Sequence, residues 1–178
     1  TGERKSTREE VSWRSFRSWE EAKTLDNKPL YGGGCRCGAV RFRVEGALGS
    51  ASICHCRMWQ KAFGNFYAPL VSVGEAKLIW TRNELKRIQS SNHVKRGFCA
   101  ECGTPLTYEA PDGVALSIGA FDAPEEIEPT TQWGVEVKLP YVDDLAKLPG
   151  FETERDPESI EFVRTMVSYQ HPDHDTEN

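Results

Sequence analysis

The chain has 178 residues, with 22 Lys and Arg against 27 Asp and Glu and a formal charge of −5. An apolar fraction of 38% and a charged fraction of 28% exclude both a mostly disordered chain and a membrane-embedded one, and no apolar run approaches the roughly 18 residues of a spanning helix. The acidic balance, without a basic stripe, argues against a nucleic-acid partner and for a small molecule or a protein, while the length suits one compact domain of about 100 to 200 residues.

Residues 1–29 read as an N-terminal extension, charged but carrying Trp13, Phe16 and Trp19. Its capping boxes, Thr7-x-x-Glu10 and Ser18-x-x-Glu21, predict one or two short helices that lay these aromatics on the main body. From Leu30 the texture changes. Val40, Phe42 and Val44 alternate with Arg41, Arg43 and Glu45, the period of a half-buried strand. Similar runs follow at 66–73, 77–80, 85–89, 104–109, 114–118 and 132–138, separated by turn signals such as Pro111-Asp112-Gly113. Short strands at this spacing, without long helices between them, predict a mainly β domain over 30–151. In the last segment, 152–178, Asp156 is placed to cap a helix of about three turns whose stripe is Ile160, Val163 and Val167, with a polar, frayed tail beyond.

Six cysteines fall as Cys35-x-Cys37, Cys54-x-Cys56 and Cys99-x-x-Cys102. Three disulfides would suit a secreted chain, but a one-residue spacing strains a local bridge, and the first segment lacks the apolar core of a signal peptide. A cytoplasmic chain using thiolates for metal is the better reading. Zinc takes four ligands in a tetrahedron, and Cys99-x-x-Cys102-Gly103 has the form of a zinc knuckle, in which Gly103 is expected at positive φ. Cys35-x-Cys37-Gly38 can supply the other half, with alternate residues of an extended segment on one face and Gly32-Gly33-Gly34 bending toward the metal. Such a four-thiolate site would be closed and structural.

Cys54-His55-Cys56 offers two sulfurs on one face, with His55 expected to point away; reduced, partly buried cysteines are the alternative. His93 is expected to be solvated, and the His171-x-x-His174 spacing in the tail is not expected to hold a metal.

Three stretches carry a family resemblance: Tyr31 to Phe42 around Cys35 and Cys37, Cys54-His55-Cys56-Arg57-Met58, and Gly97 to Leu106 around Cys99 and Cys102. In order and spacing they resemble the glutathione-dependent formaldehyde-activating enzymes, also called the centromere protein V family. The resemblance implies an Mss4-like fold of coiled β-sheets around a zinc knuckle, with short helices at the termini. It also implies structural zinc on Cys35, Cys37, Cys99 and Cys102, and a carbon-sulfur lyase type of activity on an adduct such as S-hydroxymethylglutathione. A second, labile zinc in the family is held by three cysteines in a C-x-C-x-x-C pattern. Here the first two positions are Cys54 and Cys56, the implied catalytic residues and metal ligands, and the third is Trp59. The family's Pro-x-x-His-Ile stretch reads Pro129-Thr130-Thr131-Gln132-Trp133. Arg57 and Lys61 stand beside the pair, where they could attract the carboxylates of glutathione or simply solvate a surface. The rival reading is a catalytically silent, zinc-stabilised interaction module; a methionine sulfoxide reductase of similar fold ranks below both.

Overall fold

The alternation at residues 40–45 forms strand β2 (Arg41–Glu45), which buries Phe42 and Val44 completely and leaves Arg43 and Glu45 half-exposed on its other face. It pairs antiparallel with β1 (Leu30–Gly34) on one side and β5 (Lys77–Arg82) on the other. This three-stranded sheet lies in a computed structural model that describes residues 28–156 and 159–177. The helices expected from the two N-terminal capping boxes fall outside the described residues.

A second, seven-stranded sheet has the order β10 (Thr131–Trp133), β3 (Ala51–Cys54), β4 (Ala68–Ser72), β9 (Gly113–Ser117), β8 (Pro105–Ala110), β7 (Lys95–Phe98), β6 (Lys86–Gln89). All its neighbours are antiparallel except β10, which runs parallel to β3. The two sheets share one core. Phe42 and Val44 of the small sheet join Val71, Leu106 and Leu116 of the large one, and each such burial stabilises the fold by about 1.5–3 kcal/mol. Phe42 also meets Phe121 and Trp80 edge to face, at 5.2 and 5.9 Å between ring centroids.

Three strands lack the alternating signal: β1, β3 and β7. The glycine run is itself strand β1 rather than a bend toward a metal, and at Gly33 a Cβ would collide with the Phe42 ring and the Ala120 carbonyl. Strand β3 runs into a short helix, α1 (Arg57–Phe63), which Gly64 ends in the left-handed region at φ 59°. The extended run expected over 132–138 stops at Trp133; Gly134 turns the chain into a 3₁₀ turn over Val135–Val137.

The C-terminal helix, α2, covers Ile160–Thr165, with Val163 half-buried and Val167 left exposed beyond its end. The tail after it is pinned, not frayed. His171 N–H donates to the Arg36 carbonyl at 2.8 Å, Arg82 donates to the Thr176 carbonyl at 2.6 Å, and Arg41 pairs with Asp175 at 2.9 Å. Arg41, at the start of β2, is buried because Asp122 takes its guanidinium through two bonds of 2.7 and 2.6 Å.

Candidate metal centre and the second cysteine pair

Two turns bring the first cysteines together. Between β1 and β2, Gly38 N–H donates to the Cys35 carbonyl at 3.0 Å and Cys35 N–H to the Val40 carbonyl at 2.9 Å. Between β7 and β8, Gly103 N–H donates to the Cys99 carbonyl and Cys99 N–H to the Thr104 carbonyl, both at 3.0 Å. Gly38 and Gly103 sit at φ 74° and 77°, where a side chain would be strained, as expected of Gly103. Cys35 and Cys37 therefore share a side through a turn, not through strand alternation.

The Sγ atoms of Cys35, Cys37, Cys99 and Cys102 all lie within 4.8 Å of one another, with Cys35–Cys37 at 3.5 Å and Cys37–Cys99 at 3.8 Å. Sulfurs placed tetrahedrally at 2.3 Å from a centre stand about 3.8 Å apart, so this set fits a four-thiolate zinc ion. Donors are already aimed at it. Val40 N–H reaches the Cys35 sulfur at 3.2 Å, and the Thr104 hydroxyl lies 3.1 Å from the Cys102 sulfur.

Burial drives the Cys99 thiol up to about 12. Burial also pushes Cys102 up, but donors from Thr104 and Cys37 outweigh it and hold that thiol down at about 6. At Cys37 the Ala39 amide lowers the thiol, while desolvation and the Cys102 and Cys35 thiols outweigh it and leave it raised. One turn belongs to each sheet, so a metal held here would cross-link the two.

Cys54 ends β3 and Cys56 is the N-cap of α1, both half-buried. Trp59 follows one turn into the helix, 6% exposed, in a cluster with Ala68 and Leu70 against which both cysteines pack. The indole thus fills space next to the pair. His55 does point away: it is fully buried, with Nε2 2.9 Å from Gln132 Oε1 and its ring edge-on to Tyr67. Among the described residues the four-cysteine set is the only group of three or more His, Cys, Asp or Glu with metal-ligand proximity, so no third such group joins Cys54 and Cys56.

Arg57 and Lys61 lie exposed on α1, and His93 is exposed in the β6–β7 turn. Sequence reasoning missed Arg96 on β7. It is 8% exposed, its Cζ lies 3.5 Å from the Trp59 ring centroid, Nε donates to Ser90 Oγ at 2.8 Å, and Nη1 has no hydrogen-bond partner. Burial lowers its pKa, with the sulfurs of Cys56 and Cys54 among the groups that oppose this. Burial likewise raises the Cys54 thiol, against the Cys56 amide and the Arg96 charge.

The sequence profile of the family described as glutathione-dependent formaldehyde-activating enzyme matches residues 30–136, more than half of the chain. The chain belongs to this family. Its two sheets and paired cysteine turns make up the Mss4-like fold that membership implies. Among solved structures, a Rhodobacter sphaeroides protein is similar at 19% identity and a TM-score of 0.43, covering 57% of this chain and 98% of that one. No curated protein matches. Among the described residues of this family member, no helix is long and apolar enough to cross a membrane.

Proposed function

We propose that the protein is a cytoplasmic carbon-sulfur lyase that makes and breaks a thiol-aldehyde adduct such as S-hydroxymethylglutathione at Cys54 and Cys56. The observation that carries this reading is the division of the cysteines. Four converge within 4.8 Å, whereas Cys54 and Cys56 stand apart beside a buried cation. Cys35, Cys37, Cys99 and Cys102 would hold zinc, which supplies a cross-link there and no open position for substrate. The remaining pair, with Trp59 as its neighbour, does not by itself make the family's second zinc site.

The chemistry falls to the chain's own groups. In the synthetic direction the substrate thiol gives its proton to a Cys56 thiolate, its sulfur adds to the carbonyl carbon of formaldehyde, and the proton passes from Cys56 Sγ to the new alkoxide oxygen. The reverse order releases thiol and aldehyde. Arg96 favours the anionic sulfur of the pair, and Arg57 and Lys61 draw in the carboxylates of glutathione.

The interaction-module reading has one observation in its favour, the exposed row of Trp133, Val135 and Val137. Exchange spectroscopy on ¹³C-formaldehyde and glutathione separates the two. A lyase accelerates interconversion with the adduct, loses that effect in Cys56→Ser, and keeps one zinc per chain in Cys54→Ser. Wild-type protein with its zinc and no acceleration would overturn the lyase reading in favour of the module.

A further inference from the structure

An open cleft of about 420 Å³ lies between α1 and the β6–β7 hairpin, walled by Arg57 and Lys61 on one side and Ile88 and Ser90 on the other, with Arg96 among its lining groups. Its volume is that of a small-molecule site. Three of the lining side chains are cationic and none is acidic, in a protein whose formal charge is −5. Arg57 and Lys61 are exposed and solvated, so on their own they would steer a ligand without fixing it.

Arg96 differs from them. The residue as a whole is 8% exposed, with Ser90 holding Nε at 2.8 Å and Trp59 under its Cζ at 3.5 Å. Nη1 is sealed from solvent without a hydrogen-bond partner, and no carboxylate among the described residues pairs with this arginine. A buried, oriented and unpaired guanidinium is costly to the free protein unless an anion completes it, and a carboxylate matches its planar donors.

We propose that Arg96 is the anchor of a carboxylate subsite in this cleft, which holds an acid group of the thiol substrate while its sulfur lies at Cys54 and Cys56. Arg57 and Lys61 supply the attracting rim, and Trp59 and Ser90 position the guanidinium. This rests on the reading of the cysteine pair as the thiol-handling site, and it makes acidic thiols the preferred substrates over neutral ones of similar size.

The test is titration calorimetry of the full chain with S-methylglutathione, which keeps both carboxylates of glutathione and has no free thiol. Wild type is expected to bind it, to bind its dimethyl ester at least tenfold more weakly, and to lose at least tenfold in Arg96→Gln. If Arg96→Gln does not fold, the surface double variant Arg57→Gln with Lys61→Gln is expected to lose about fivefold, and Ser90→Ala, which frees Nε, a smaller factor. Absence of binding, or affinity indifferent to esterification or to these changes, overturns the subsite. Formaldehyde-glutathione exchange measured on the same preparations reports on the lyase reading separately: exchange that persists without S-methylglutathione binding leaves that reading standing and removes only the carboxylate anchor.

Discussion

The Arg96 guanidinium rests on the Trp59 indole, with 3.5 Å between Cζ and the ring centroid. The sequence resemblance expects a third cysteine at position 59, and this chain has there an indole that serves as a platform for a cation. A largely desolvated stack of this kind contributes about 2 kcal/mol. Tyr108 and Phe63 pack on the indole in turn, each with its ring centroid at 5.3 Å.

Replacing the indole by a thiol should therefore have two opposed effects. Trp59→Cys completes a C-x-C-x-x-C set and is expected to raise the zinc content from one to two per chain. Measured by urea denaturation with the second site kept empty, it should cost about 5 kcal/mol for the lost volume and the lost stack together. A variant that folds and still carries one zinc would show that the sulfurs of Cys54 and Cys56 do not converge on that position.

The two aspartates on Arg41 should behave unequally. Arg41 is 3% exposed, Asp122 13% and Asp175 56%. Asp122→Ala strands a buried guanidinium and is expected to cost about 3–5 kcal/mol in chemical denaturation. Asp175→Asn removes a solvated partner and should cost less than about 1 kcal/mol. Equal losses would mean that the tail, not the bidentate pair, holds Arg41 in place.

What the sequence shows of this protein follows from how local each signal is. Strand β2 is legible because one face meets the core and the other meets water, and Cys99 to Gly103 is legible because a knuckle needs a glycine directly after its second cysteine. Strands β1 and β7 carry glycines where aromatic or aliphatic neighbours press in, Phe42 on Gly33 and Leu85 on Gly97, so their pattern is set by packing partners and not by strand alternation. Arg96 was invisible for the same reason. Nothing near it in sequence indicates burial; the indole that covers it is 37 positions away, brought close by α1 and β7. The polar tail reads as frayed because its partners, Arg41 and Arg82, lie on the small sheet.

The Arg96 charge also sets the reactivity of its neighbours. Burial raises the Cys54 thiol above its ordinary value, and Arg96 opposes that rise. Arg96→Gln removes the opposing charge, so the Cys54 pKa moves further up and less thiolate exists at any pH near neutrality. Alkylation of Cys54 by iodoacetamide, followed by peptide mass spectrometry from pH 7 to 10 with zinc on the other four cysteines, should be slower in the variant and its profile displaced to higher pH. A displacement to lower pH would contradict the geometry.

Zinc affinity at the four-cysteine site should depend steeply on pH, because zinc binds thiolates and displaces whatever protons the free thiols carry. Near pH 7 to 8, Cys102, held at about 6, is already mostly ionised and releases almost nothing, whereas Cys99, at about 12, and the raised Cys37 must each give up a proton. At least two protons leave, so apparent affinity should rise at least about a hundredfold from pH 7 to pH 8 and fall again on acidification. Below pH 6 Cys102 becomes protonated as well and the dependence gains a further tenfold per unit. Thr104→Val deletes the hydroxyl 3.1 Å from the Cys102 sulfur, which lets that thiol rise toward its ordinary value and moves its extra proton into the range from pH 7 to 8. Competition with a chromophoric chelator at pH 7 and 8 should therefore give a steeper ratio for the variant than for the wild type. Equal ratios would mean that Thr104 does not hold Cys102 down.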